Sequence, residues 1–314
     1  MTDTRTLPGY VDYGPIRRWI ATQEADGAGD AAWRRVERWR EMVEEHGVVN
    51  TSVQDRVGWI ELCYPPKANA LVPPMYGLLI DALERHAADD DVWVIVITGA
   101  GRTFSSGGYV GGDAFYAGLD AGHDGAKGEP IRRTFVELFQ RIPLSIANSE
   151  KPVIAAVNGP VMAESLDIAL TADLRTGNPN TEFRFSFVAT GNTAYTGAAW
   201  SLPRLIGESR AKQFLLGAER VGARQAYDAG LLNYLFEADE FRERTTEIAQ
   251  RLAGLPPITM RLVKKEISLG RGIDSFAAAL DTYSMIEPIV QSTEDHMDAE
   301  NAVIEKRPPV VLGR

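Results

Sequence analysis

Cysteine is nearly missing from this chain. Cys63 stands alone among 314 residues, so no intrachain disulfide can form, and a reducing compartment suits it. Histidine is as sparse: His46, His86, His123 and His296 are scattered without any ligand spacing, and no metal site is expected. No stretch approaches the roughly 18 consecutive apolar residues of a membrane span. The opening MTDTRTLPGY lacks the apolar core of a secretory signal, so a cytoplasmic protein is expected. Positive charge is also in short supply. Lys and Arg number 33 against 43 Asp and Glu, a formal net charge of −10 that argues against a general nucleic-acid binder. An anionic small ligand stays open, because nearby lysines and arginines outweigh a distant negative surface.

What is present organises into three stretches. Residues 1–47 read as an extension that is partly helical: Trp33, Val36, Trp39 and Val43 share one helical face, and charged residues fill the rest. This face suits packing on the core or on a neighbouring subunit, or docking of a partner. Residues 48–240 alternate strands and helices. Val48–Val53 and Val57–Cys63 are strand-like and flank the turn residues Asp55-Arg56; Pro65-Pro66 stops the second, and Met75–Ala88 reads as a helix. Val92–Ile97 and Pro152–Val157 are continuous apolar runs of the kind buried on both faces of a parallel sheet, with a helix over Ile131–Leu144 between them. The alternation predicts an α/β fold with right-handed crossovers. Residues 107–129 hold eight glycines and read as a lid-like loop. Residues 241–314 read as helical, with helices over Thr246–Ala253, Ile258–Leu269 and Phe276–Gln291.

Two segments carry chemistry. One runs from Ile97 through Thr98-Gly99-Ala100-Gly101-Arg102-Thr103-Phe104-Ser105-Ser106 to Gly107-Gly108. The other is Lys151-Pro152-Val153-Ile154-Ala155-Ala156-Val157-Asn158-Gly159-Pro160, followed by a helix expected over Val161–Thr171. Each is a buried strand ending in small residues, where backbone N–H groups can point into a cleft, and the helix start adds unpaired N–H groups. Two such amides aimed at one point stabilise the oxygen of an enolate or a tetrahedral adduct. Strand-Gly-helix junctions occur in many folds, so composition alone leaves a purely structural role equally open.

These segments resemble the crotonase (enoyl-CoA hydratase/isomerase) superfamily, in its order and at its spacing. Pro66-Lys67-Ala68-Asn69-Ala70-Leu71 resembles the family's NAL element, the 98–108 stretch its TGxGxxF(C/S)xGG element, and 151–159 its KPVIAAVNG strand. Ser201–Gly207 resembles its LPRLxG helix, Ala223–Asn233 its AxxxGLVN element, and the tail Glu305–Pro309 is also similar. The resemblance covers residues 48–314. It implies a crotonase-like ββα spiral core and a helical C-terminal trimerisation region, hence a homotrimer or dimer of trimers. It implies an acyl-CoA thioester handled through an enolate, with no separate cofactor because CoA enters as part of the substrate.

Carried over position by position, the resemblance puts the oxyanion amides at Ser106 and Glu164 and the acid/base positions at Asp167, Phe187 and Tyr195. The substrate and CoA contacts it suggests are Lys67, Ala68, Ala70, Phe104, Phe187 and Lys264. Lys264 and Lys265 could meet CoA phosphates or simply face solvent. The departures matter. Hydratases of the family carry glutamates where this chain has Asp167 and Phe187, and a phenyl ring offers no titrating group. Tyr195 can donate a proton, though an ordinary phenol pKa of about 10 makes it a poor base. Glu164 replaces the small residue usual there. Its carboxylate lies three residues from Asp167 on one helix face, where two like charges raise one pKa, which makes Glu164 a catalytic acid/base candidate beside Asp167 and Tyr195; the alternative is a helix-start carboxylate facing solvent, Arg175 or Arg184. Phe183, Phe185, Phe187, Tyr195 and Trp200 suggest either core or an aromatic pocket. Two other functions remain in view: CoA-independent hydrolysis of a carbon–carbon bond in a cyclic β-diketone, and non-catalytic acyl-CoA binding.

Overall fold

The computed structural model describes residues 29–109 and 135–314, with isolated positions at 17, 20, 21, 24, 25, 27 and 132. The lid expected over 107–129 lies outside the described residues from position 110 onward, as does the start of the helix expected from Ile131.

Helix α1 (Gly29–His46) buries Ala32, Val36 and Trp39, so the amphipathic stripe seen in the sequence is a packing face turned onto the core. Strands β1 (Val48–Gln54) and β2 (Val57–Cys63) form an antiparallel hairpin pairing Gln54 with Val57. The two-residue turn between them holds Asp55 and Arg56 at φ 51° and 65°, the left-handed geometry that a tight hairpin requires. After α2 (Pro73–Ala88) come β3 (Val94–Gly99), α3 (Arg141–Asn148) and β4 (Val153–Val157). Next are β5 (Pro160–Met162), α4 (Glu164–Thr171), β6 (Leu174–Gly177) and β7 (Glu182–Arg184). Helices α5 (Ala198–Ile206) and α6 (Glu208–Leu216), β8 (Arg220–Gly222), α7 (Ala223–Asp228) and β9 (Tyr234–Leu235) complete this part.

The main sheet runs β1-β2-β3-β4-β6-β9, parallel from β2 onward, and a small sheet β5-β7-β8 stands beside it. Alternating residues of β3 serve two apolar layers. Ile95 and Ile97 join the layer covered by α1, α2, α3 and α4, while Val94 and Val96 face Trp59, Trp93 and α8 (Phe241–Ala253). Burial on both faces explains the unbroken apolar runs.

The C-terminal region is helical as expected: α8, α9 (Pro257–Gly270), α10 (Phe276–Ser284), α11 (Glu287–Gln291) and α12 (Glu294–Glu305). Two expectations about elements are corrected. The helix expected over Phe276–Gln291 breaks after Ser284, because Pro288 has no N–H and its ring clashes with the carbonyl four residues earlier. The helix expected from Val161 begins at Glu164, since Pro160–Met162 pair in register with Glu182–Arg184 and Ala163 turns the chain at φ 48°.

Candidate active site

Strands β3 and β4 are parallel neighbours, pairing Ile95 with Val153 and Thr98 with Ala156, so the turns that follow them lie side by side on one rim of the sheet. In open parallel sheets this carboxyl-end rim is where ligands bind. Two asparagines lace the turns. The amide of Asn158 donates to the Gly99 carbonyl (2.8 Å) and the Gly101 carbonyl (3.0 Å). The fully buried Asn69 accepts from the Tyr64 N–H (2.9 Å) and donates to the carbonyls of Ala100 (2.9 Å) and Thr103 (2.7 Å). Glycine is obligatory at the crossing: a Cβ on Gly159 would stand 2.0 Å from the Arg102 carbonyl oxygen. Sequence reading found Asn69 only as a letter of a motif. Its role as a clamp between positions 64 and 104 needed the fold.

The first turn then runs alongside Leu71. The Leu71 N–H donates to the Gly107 carbonyl (2.8 Å) and the Tyr109 N–H to the Leu71 carbonyl (3.2 Å). That ladder leaves the Gly108 N–H pointing away from Leu71, across the cleft to Glu164 Oε2 at 2.8 Å. The expected amide of Ser106 is instead spent: it donates to the Ala68 carbonyl (2.9 Å), and the Ser106 hydroxyl donates to the Lys67 carbonyl (3.1 Å). The cleft-facing donor of the first turn is therefore Gly108, two residues further on. The Glu164 N–H opens α4 and has no intrahelical acceptor by position.

The two carboxylates of α4 are treated differently. Glu164 is half-buried and accepts from the Gly108 N–H and from the Tyr195 hydroxyl; neither Arg175 nor Arg184 reaches it, because Arg175 donates to backbone carbonyls and Arg184 pairs with Glu182. Asp167 is fully buried, accepts the Thr196 hydroxyl at Oδ2, and its Oδ1 has no partner. Burial pushes its pKa up to about 7, the Thr196 hydrogen bond opposing and the Glu164 charge adding. Successive residues, Tyr195 and Thr196, thus give one hydroxyl to each carboxylate. Thr196 had no signal in the sequence beyond its place after Tyr195. Gly197 (φ 134°) brings the chain close enough that a Cβ there would meet Asp167 Oδ1 at 3.5 Å.

Other expected contacts fall elsewhere. Phe104 is fully buried in the core and supports the first turn from behind, so its ring presents no face to a ligand. Lys264 donates to Asp173 Oδ2 (2.7 Å) and to the Lys151 carbonyl (2.9 Å), and so ties α9 to the segments that lead into β4 and β6. Phe183 and Phe185 are core residues, Phe185 stacking on Phe214, while Trp200 is exposed beneath the Arg204 guanidinium. Phe187 is buried, and Tyr195 stands edge-on to Phe135 at 4.6 Å. Ala70 is buried, Lys67 is exposed, and Ala68 turns at φ 52° where its carbonyl meets Ser106. A surface cavity of about 720 Å³ lies at the opposite rim, before β4, between Leu83, Arg141, Lys151 and Arg261. There Lys151 Nζ donates to the carbonyls of His86 and Asp89 at the end of α2, a helix-capping arrangement. Among the described residues no group of His, Cys, Asp and Glu could hold a metal ion, and no helix is long and apolar enough to cross a membrane.

Comparison with known proteins identifies a family. The family described as Enoyl-CoA hydratase/isomerase matches residues 52–313. The short-chain-enoyl-CoA hydratase of Clostridium acetobutylicum is 32% identical over 255 residues, 81% of this chain and 93% of that protein. 4-Chlorobenzoyl coenzyme A dehalogenase-2 of Arthrobacter is 32% identical over 219 residues, 69% of this chain and 76% of that one. Among solved structures, an enoyl-CoA hydratase from Bacillus anthracis superposes with a TM-score of 0.76 at 25% identity, covering 85% of this chain and all (100%) of that chain.

Proposed function

This chain belongs to the enoyl-CoA hydratase/isomerase family of the crotonase superfamily, and from that premise we propose that it is an enzyme acting on an acyl-CoA thioester through an enolate. The thioester oxygen would lie between the N–H groups of Gly108 and Glu164, whose dipoles favour the charge that develops there. Asp167 would move the proton. The observation that carries this reading is Asp167 itself: a buried carboxyl with one unpartnered oxygen and a pKa raised to about 7, next to the cleft amides. Such a group is protonated about as often as not at neutral pH, which suits an acid and a base equally.

Phe187 is buried and cannot titrate, so the chemistry uses one carboxyl where two-glutamate hydration uses two. Isomerisation, in which a single group removes and returns a proton, fits this best, with lyase chemistry or hydration by Asp167 alone as variants. The 66–71 segment would hold the CoA moiety. The decisive experiment is exchange of the α-protons of acetyl-CoA in heavy water, with binding measured calorimetrically. Exchange abolished by Asp167→Asn supports the enolate; binding without any exchange overturns it. Absence of CoA-ester binding turns attention to hydrolysis of a cyclic β-diketone, a reading favoured by the side chain of Glu164 in the cleft.

A homotrimer or dimer of trimers is part of the proposal. Its support is the row of exposed apolar residues on α10 to α12, including Phe276 (79% exposed), Met285 (68%) and Ile304 (78%). A monomer in sedimentation at micromolar concentration overturns it.

A further inference from the structure

The oxyanion amide of the first turn already has a partner, and the partner is the side chain of the residue that supplies the second amide. Gly108 donates to Glu164 Oε2 at 2.8 Å, and Tyr195 donates to the other carboxylate oxygen, so the carboxylate is held from both sides. The contact is close: a Cβ built on Gly108 would stand 2.9 Å from Glu164 Oε1, which makes the missing side chain at 108 a condition of the contact. The N–H cannot turn elsewhere, because Gly107 and Tyr109 on either side are fixed to Leu71. An incoming carbonyl oxygen and Glu164 Oε2 therefore compete for one hydrogen.

We propose that Glu164 is a resident, displaceable occupant of the oxyanion hole, so that substrate binds only by driving its carboxylate off the Gly108 N–H. This rests on the thioester reading above and adds an internal competitor to it. A neutral carbonyl is a weaker acceptor than a carboxylate, so ground-state ligands are held weakly, whereas the oxygen of an enolate carries the charge that the amide already accommodates. Displacement is a rotation of the Glu164 side chain that gives up the hydrogen bond from Tyr195 together with the one from Gly108. Occupation of the hole reduces the competent fraction of free protein and raises the apparent Kd by the inverse of that fraction, leaving events after binding untouched. Glu164 in this role sets the apparent affinity of the site.

The test compares wild type, Glu164→Ala and Tyr195→Phe, each checked for folding by thermal melting. Acetyl-CoA is titrated calorimetrically, and the Gly108 amide is followed by nitrogen-15 NMR with acetate as a probe. Removing the occupant should tighten acetyl-CoA about ten- to hundredfold, the factor carried by a hydrogen bond to a charged group. Tyr195→Phe, which loosens one anchor, should tighten it by a smaller factor and keeps the test open if Glu164→Ala does not fold. Acetate should shift the Gly108 amide in Glu164→Ala and leave wild type unmoved. Unchanged or weaker acetyl-CoA binding in both folded variants, with no acetate effect, overturns the proposal. Should no variant bind acetyl-CoA while acetate still enters the opened site, the occupant stands and the acyl-CoA reading falls.

Discussion

The turns around Gly108 and Glu164 and the C-terminal helices α9 to α12 are held in opposite ways. In the turns almost every buried polar group has a named partner within the chain: Asn69 and Asn158 bind five backbone carbonyls and N–H groups between them at 3.0 Å or less, Ser165 ties the second turn to the first, and Ser105 ties the first turn to Asn69. The exception is Asp167 Oδ1. In the helices the imbalance is apolar. Helices α10 and α11 bury no residue at all, and Phe276, Leu280, Met285 and Ile289 face outward. One region is finished by the chain's own contacts and keeps a single polar group in reserve; the other leaves its apolar surface for something else to cover. A lone unsatisfied group inside a satisfied network is where chemistry is to be sought, and an uncovered apolar face is where assembly is to be sought.

The largest expected effect removes the exception. Asp167→Asn keeps the volume and should cost turnover of the cognate thioester about 100- to 10,000-fold, the range of a lost general acid/base, with little change in thioester affinity; steady-state kinetics and calorimetry separate the two. A substitution that leaves turnover intact would make Asp167 another structural member of the network.

Next in size is the clamp. Asn69→Ala leaves the Tyr64 N–H and the carbonyls of Ala100 and Thr103 without partners in a buried place. A cost of at least about 3 kcal/mol is expected, seen as a melting temperature lowered by roughly 6–12 °C. A drop of only a degree or two would show that the turns are held by the sheet alone.

The same buried carboxyl gives a pH signature. The fold favours protonated Asp167, whose pKa rises from 3.8 to about 7, so its contribution to stability is full in acid and is lost as pH climbs toward neutrality. Denaturant melts of wild type against Asp167→Asn should diverge between about pH 4 and 7, wild type losing ground as pH rises, and run parallel above. Parallel curves throughout would mean that the carboxyl titrates as it does in water. The smallest effect on stability lies in the other region. Phe276→Ser with Ile304→Ser should alter folding stability by only about 0.5 kcal/mol or less in a dissociated protein while lowering the assembly state in sedimentation. Stability lost without any change of mass would show these residues to be core.

Much of this was legible in the chain itself. Buried parallel strands announce themselves as unbroken apolar runs at Val94–Ile97 and Val153–Val157, and the Asp55-Arg56 turn marks the hairpin. The Pro288 break also lay in plain view and yields to local chemistry alone. What stayed hidden depends on distant partners. Pattern locates the first turn but not which of its amides faces the cleft; that is decided by pairing with Leu71, which uses Gly107 and Tyr109 and frees Gly108. Lys264 looks like any lysine on a helix until Asp173, 91 positions earlier, appears beside it. Phe104 looks like a ligand contact until the layer around it is assembled.

The lacing of the two turns has a consequence for how this chain can change. Asn158 joins Gly99 across 59 positions of sequence, while strands β3 and β4 fix the same neighbours side by side. Once the ends of a connection are pinned in this way, lengthening it costs only loop-closure entropy, about 0.6 kcal/mol for each doubling. That allowance does not extend to Gly108 or to the buried Phe104, Leu138, Phe139, Ile142 and Ile146, which lie within the same connection and are fixed by the turn and the core. Under the proposed function, a change of acyl group would be met by editing the remainder of that connection, with the charge-stabilising frame inherited unchanged.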